Sequence, residues 1–334
     1  MAVLRICGFD TLPVQPYPFI DQIGSLGSNL RSGHGGYITL AGERIVLSAS
    51  EEDDFIVLGN DIAPTGDNRG WTFRGDDNAV THLTVVWRSA TAKWEVWRGA
   101  SGTGTLLGAS PGNSHVGSTT VKYLEIKFRI ADATGFVELW LDNVQVLNLT
   151  GIDTKNGGAD ALIDTITQPA TPFTCDNLIV INEVAGNGAV DRVGPIYVAP
   201  YRPNGNGTAS WDGSDGNQTD NYLLVDDPAL NNDGDTTYLE TGVAEVEILG
   251  VADISPTPVT IVAVDAIMIA KDSVGGGTSA RPGYRIGGTN YPGDPAVLTA
   301  SYAAYGKAWG VSPATAVAWT RTEFNGAELT AESL

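Results

Sequence analysis

This sequence is short of the residues that carry metal, nucleophilic and nucleic-acid chemistry. In 334 residues there are two cysteines and three histidines. Cys7 and Cys175 lie far apart and outside any CxxC or Cys/His cluster, so no thiolate metal site is indicated. His34, His82 and His115 are scattered. No serine stands in a Gly-x-Ser-x-Gly elbow and no Gly-rich loop leads into a helix, which leaves a triad or a nucleotide site without support. Basic residues are scarce as well: 19 Lys and Arg face 39 Asp and Glu, a formal charge of −20. That charge repels phosphate backbones and anionic headgroups, and argues against nucleic acid as a partner. Long apolar runs are absent. The N-terminus, MAVLRICGFDTL, has no block suited to a secretion signal. The longest apolar stretch, Val259 to Ala270, is broken by Asp265 and falls short of the ~20 residues that span a bilayer. Neither export nor membrane insertion is expected.

What is abundant is turn chemistry between short apolar runs. The 41 Gly and 17 Pro are spread along the chain instead of being gathered in one tract. The length suits two domains at ~150 residues each. Strand candidates follow closely: Val3–Phe9, Tyr37–Leu40, Arg44–Ala49, Phe55–Leu58, Trp71–Phe73, Leu83–Arg88, Lys93–Trp97, Leu106–Gly108 and Asn177–Ile181. Helical periodicity is missing from this half. The clearest pattern is in 121–151, where Leu124, Ile126, Phe128 and Ile130 alternate with Tyr123, Glu125, Lys127 and Arg129. Val137, Leu139 and Leu141 repeat the period of two, and Asp142-Asn143 turns the chain into Val144. This is a half-buried antiparallel meander of a β-sandwich.

The fold class is therefore all-β, with two β-sandwich (jelly-roll) domains in tandem. The first covers 1–185, a Gly-rich linker covers 186–195, and the second covers 196–334. In the second, Ile196–Val198, Tyr222–Val225, Val243–Leu249, Val259–Ile269, Tyr284–Ile286 and Val297–Tyr305 are the strand candidates. Pro313–Trp319 and Thr322–Leu329 read as short turns or helix, with Thr322 as a cap. The loops at 202–221 and 226–237 are long for a compact domain, as functional or subunit-ordered loops are. Cys7 and Cys175 fall in strand-like runs at the two ends of the first domain. Buried thiols are the favoured reading, and a disulfide closing the domain is the alternative.

The meander with its Asp142-Asn143 turn, followed by TCDNLIVIN at 174–182, resembles the concanavalin A-like or laminin-G-like jelly roll. The resemblance implies one curved sheet with first and last strands adjacent, which would bring Cys7 close to Cys175. Asn143 stands where that pattern more usually has Gly. WDGSDGNQTDNYLLVDD (211–227), NNDGDTTYLETG (231–242) and PATAVAWTRTEFNGAEL (313–329) are similar to segments of tailed-bacteriophage virion structural proteins of the minor tail, fibre or head-decoration type. That likeness implies a non-enzymatic structural or adhesion role in the virion. The protein would be made in the host cytoplasm, with other virion proteins and further copies of itself as partners and a host-surface glycan as a target.

Against that stand the site chemistries the residues allow. A glycosidase needs two carboxyls over a sugar cleft. Glu245 and Glu247 share a strand face, but no third acid follows and a solvated edge explains them equally. Glu51 to Asp54 are adjacent, hence on opposing faces or in a loop. No catalytic residue is named. Calcium has oxygen donors in Asp212, Asp215, Asn217 and Asp220, and in Asn231, Asp233 and Asp235. Their spacing misses the EF-hand, and Asp and Asn in turns are more often caps, so no metal or cofactor is assigned. Trp87 alternates with Leu83 and Val85, and Trp94 with Val96, which places both in the core. Trp97 shares its face with Lys93 and Glu95, and Trp140 with Glu138 and Asp142. Trp97 and Trp140 are thus the candidates for an interface or for glycan contact. A carbohydrate-binding lectin-like module or a glycosidase is the alternative to the structural role.

Overall fold

The computed structural model describes residues 2–7, 25–26, 37–38, 44–49, 51–64, 66–115, 121–169, 173–183, 192–227, 233–254 and 260–334. The chain forms two compact units, the first ending at Val198 and the second beginning at Ala199. Every strand pairing described is antiparallel, and no helix among the described residues is long and apolar enough to cross a membrane. His34 and Asn231 of the candidates above lie outside the described residues.

The first unit holds β1 (Ala2–Cys7), β2 (Ser25–Leu26), β3 (Tyr37–Ile38), β4 (Arg44–Val46), β5 (Phe55–Ala63), β6 (Arg69–Gly75), β7 (Val80–Arg88), β8 (Lys93–Arg98), β9 (Thr105–Ala109), β10 (Lys122–Arg129), β11 (Gly135–Leu141), β12 (Val144–Ile152), β13 (Thr165–Thr167) and β14 (Thr174–Asn182). One sheet runs β12-β11-β10-β5-β14-β3-β2 with β1 on β14, and the other runs β4-β13-β6-β7-β8-β9. Alternation sets which face is dry. Leu124, Ile126 and Phe128 of β10 are fully buried, as are Val137 and Leu139 of β11 and Ile56, Leu58 and Ile62 of β5. Burying each such side chain contributes ~1.5–3 kcal/mol. The two sheets meet where Phe73 of β6 tilts against Phe128 at 4.4 Å between centroids. Trp71 Nε1 donates across the gap to Asn60 Oδ1 at 3.1 Å, so the one polar side chain of β5 on this face has a partner. Trp87 and Trp94 are core residues, as their alternation predicts, and pack with His115.

The first and last strands of this unit are neighbours, as the resemblance implies. The register sets Cys7 opposite Leu178, while Cys175, a buried thiol, pairs with Tyr37 and Ile62. Strand β13 has no counterpart among the expected strands. It is only three residues long, and it is held between β4 and β6 by pairing on both sides.

The second unit holds β15 (Pro203–Asn206), β16 (Asp212–Gly213), β17 (Leu239–Glu240), β18 (Val246–Val251), β19 (Val264–Ala270), β20 (Ser279–Ile286), β21 (Thr289–Pro292), β22 (Ala296–Val297), β23 (Ala303–Trp309), a helix α1 (Arg321–Asn325) and β24 (Ala327–Ser333). The main sheet runs β15-β18-β24-β20-β21 with β22 on β20. The β19–β23 pair and α1 contribute Val264, Ala266 and Phe324 to a core with Tyr284, Trp319 and Ala327.

Several expectations fail here. Tyr222–Val225 is not a strand, because Asn221–Leu224 is a 3-10 turn, and Ile196–Val198 has no strand pairing. The single run expected over Val297–Tyr305 is divided between β22 and β23. The segment read as turn or helix over Thr322–Leu329 is α1 followed by β24, the strand at the centre of the sheet. Thr320, not Thr322, is the cap: its Oγ1 accepts from Glu323 N–H. After Gly326 the residues alternate again and pair on both edges with β18 and β20, so tertiary pairing ends the helix after five residues.

Candidate functional site

The first unit presents two outer sheet faces, one carrying Trp140 and the other Trp97. On β10 and β11 the register aligns Glu125 with Trp140, Lys127 with Glu138, and Arg129 with Phe136. The sequence reading turns this row to solvent or a neighbour. The structure instead buries Tyr123 and Glu125 to 1% exposure. Residues 192–198 of the same chain lie across them. Glu125 Oε2 accepts from Arg192 Nε at 2.7 Å, and its Oε1 accepts the backbone N–H of Val193 at 2.8 Å and Gly194 at 3.3 Å. The Arg192 guanidinium sits 3.7 Å from the centroid of the Trp140 ring, inside the range of cation–π attraction. Farther along, Val198 N–H donates to Asn177 Oδ1, and Asn177 Nδ2 donates to Asp61 Oδ2.

The Asp142-Asn143 turn explains why Asn replaces Gly in the meander. Both residues have positive φ, 48° and 69°, as a two-residue hairpin turn of type I′ requires, and Asp and Asn tolerate that region. Their side chains are then used. Asp142 accepts from Tyr123 N–H and Lys122 Nζ, and Asn143 Oδ1 accepts from Arg192 Nη2 at 3.1 Å. Gly194 supplies the opposite surface: at φ 68°, a Cβ there would stand 2.6 Å from Asn143 Oδ1. Trp140 is thus engaged by its own chain. Within the segment expected as a linker, Arg192 to Gly194 belong to the first unit, since a buried carboxylate needs their donors.

The other face is different. Trp97 stands on β8 in register with Thr84 of β7 and Leu106 of β9, and it is partly exposed. Its Nε1 donates to Glu95 Oε2 at 3.0 Å, which fixes the ring against the strand. Arg88 completes a polar network beside it, with Nε to Glu95 Oε2 at 3.0 Å, Nη1 to Asp67 Oδ2 at 3.3 Å and Nη2 to Ser101 Oγ at 2.5 Å. Ser101 Oγ passes a hydrogen bond to Asn68 Oδ1, and Asp67 Oδ1 anchors Ser89 through its N–H. Leu106 is 48% exposed and extends the apolar surface next to the ring. The result is an aromatic plane with a rim of fixed acceptors and donors, over which the Arg88 guanidinium stands 5.9 Å from the ring centroid. Sequence reasoning found Trp97 but missed Arg88, Asp67, Asn68 and Ser101, which come from β7 and two loops far apart in the chain.

Other candidates are engaged in hydrogen bonds within the chain. Glu247 is not on a solvated edge: it is fully buried, with Oε2 accepting the N–H groups of Ser210 and Trp211 and Oε1 accepting Asn221 Nδ2. Glu245 accepts from Thr241 Oγ1. The long loop at 202–221 is therefore ordered by its own chain. Asp215 and Asn217 make successive local caps, and Asp233 caps Thr237. Asp235 pairs with Lys271 and accepts from the Tyr302 hydroxyl, which burial first and Asp235 second push up to about 12. Asp212 accepts from Gln218, and Glu51 accepts from Ser48 while Asp53 accepts the N–H of Phe55 and of Glu183. Among the described residues no group of three or more His, Cys, Asp or Glu is placed to hold a metal ion. His82 is buried, its Nδ1 accepts from Asn156 N–H, and burial holds its pKa below the ordinary value.

No family model and no curated protein matches the chain. Among solved structures it is similar to the alginate lyase Aly36B, at 16% identity over 46% of this chain and 82% of that one with a TM-score of 0.33. It is similar to an endo-β-1,4-glucuronan lyase from the fungus Trichoderma reesei, at 11% identity over 52% and 93% with a TM-score of 0.37. A third is the carbohydrate-binding module CBM66 from Bacillus subtilis, at 12% identity over 46% and 89% with a TM-score of 0.30.

Proposed function

We propose that the first unit is a non-catalytic glycan-binding module in which a sugar ring stacks on Trp97, with Glu95, Asp67 and Arg88 as its polar rim. One observation carries this reading: the partly exposed indole of Trp97 is pinned by its N–H to Glu95 beside a network of fixed polar groups. Sugars offer one face of C–H groups and an edge of hydroxyls, so they match an aromatic plane with acceptors at its border. A rigid plane loses little entropy on binding. Binding without catalysis is supported by the state of Glu247, weighed above for hydrolysis, and of Glu95 beside Trp97. Glu247 is enclosed and fully hydrogen-bonded, and Glu95 shares one oxygen with both Arg88 and Trp97. If the chain is also a virion component, as the resemblance of residues 195–334 implies, this module is the part that meets a host-surface glycan.

The test is a glycan array followed by calorimetry on the full chain. Trp97→Ala is expected to weaken binding at least tenfold, ~1.4 kcal/mol, without unfolding the sandwich. Trp140→Ala is expected to leave affinity unchanged, because Arg192 occupies that ring. A binding signal that survives Trp97→Ala would defeat the proposal.

A further inference from the structure

The charges around Trp97 narrow the class of sugar, and this step rests on the glycan-binding reading above. One cation, Arg88, and two carboxylates, Glu95 and Asp67, border the ring. Arg88 is divided between Glu95 and Asp67, with its third contact on Ser101. Lys93 stands in register with Arg88 on the neighbouring strand, four residues along β8 from Trp97, and is not part of this network. Against Arg88 are Glu95 and Asp67, so one positive and two negative groups leave the rim with a net negative charge. The cation nearest the ring is already committed to two acids.

An incoming carboxylate or sulfate would need a positive group to spare. It would meet Arg88 only by competing with Glu95 at 3.0 Å and Asp67 at 3.3 Å, and it would be repelled by both. The chain as a whole, at −20, adds to that repulsion at low salt. A hydroxyl faces no such conflict. Glu95 Oε1 has no described donor, and the Asp67 carboxylate is half exposed, so both accept from neutral hydroxyls without giving up Arg88. Leu106 beside Trp97 lengthens the apolar strip along which uncharged C–H faces lie.

We propose that the Trp97 face takes neutral glycans, and that it discriminates against uronate and sulfated ones through the Arg88–Glu95–Asp67 charge arrangement. Calorimetry on the full chain tests this with neutral gluco-, manno-, galacto- and arabino-oligosaccharides, and with oligouronates of matched length, at low and at physiological salt. The neutral ligand is expected to bind with a Kd that moves less than about twofold between the two salts, since no ion pair is formed. The oligouronates are expected to bind at least about tenfold more weakly at low salt. Glu95→Gln releases Arg88 from one acid while keeping the side-chain shape, so it should raise oligouronate affinity by about tenfold at low salt and lose that gain at high salt. An oligouronate that binds the unsubstituted chain as tightly as the neutral ligands, or a Glu95→Gln chain with no gain, overturns the inference and leaves glycan binding standing. Failure of every sugar, neutral and acidic, overturns the glycan reading itself.

Discussion

Glu125 and Glu247 are acids shut away from water, and each is held by the backbone N–H groups of a segment that has no strand pairing of its own. Neighbouring amides in series suit a carboxylate because both donors reach one oxygen, and each charge-assisted bond is stronger than a neutral one. Substituting Gln places an amide where an acceptor is needed. Glu125→Gln and Glu247→Gln are each expected to lower stability by about 1–3 kcal/mol, read from urea midpoints. Asp272 is a third case, with 5% of its surface exposed. Its carboxylate accepts the N–H groups of Val274, Gly275, Gly277 and Thr278, and these bonds, Thr278 foremost, hold its pKa below the ordinary 3.8. The unfolded chain then takes up the proton first. Its contribution to stability is complete above pH 3.8 and is lost as pH falls through the lower folded value. Asp272→Asn should flatten the acid limb of a melting-temperature profile between about pH 2 and 5, and an unchanged limb would refute that assignment.

At the scale of elements, the segment 192–198 and the β11–β12 turn act together. Arg192 enters between Glu125, the ring of Trp140 and Asn143, three residues on β10, β11 and the turn. Arg192→Ala removes a side-chain donor from a buried carboxylate, and hydrogen exchange at Val193 and Gly194 should accelerate at least tenfold, ~1.4 kcal/mol, with the β10–β11 ladder unchanged. Asn143→Gly keeps the φ that the turn needs but loses the acceptor for Arg192. It should loosen Val193 and Gly194 in the same experiment while leaving the hairpin intact. The alternation in 121–151 revealed which residues share a face. It did not reveal that a face with Tyr123 and Glu125 on it is covered, because polar residues at period two look the same whether water or a distant segment of the chain satisfies them. β24 was misread for a related reason. Glu323 and its Thr320 cap are a good helix start, and only pairing with β18 and β20 ends that helix and makes the next residues a strand.

For the whole molecule, two cores account for stability. The first lies between the two sheets around Phe73 and Phe128, and the second around Tyr284, Trp319 and Phe324. Scanning calorimetry should resolve changes in one unit from changes in the other. Glu125→Gln is expected to shift the transition of the first unit alone, and Glu247→Gln that of the second alone, because the partners described for each carboxylate belong to its own unit.

The sequence by itself determined the class of fold and the core. Period-two alternation and turn residues at short spacing act locally, and they assigned Leu124, Ile126, Phe128, Trp87 and Trp94 to the interior. It also singled out Trp97, whose charged neighbours Lys93 and Glu95 lie on the same strand. Only the tertiary structure distinguishes the surroundings of Trp97 from those of Trp140. Arg192 is 52 positions from Trp140 in the chain, and Asp67, Arg88 and Ser101 come to Trp97 from separate elements. Contacts of that kind are made by chain closure, which side-chain periodicity does not encode.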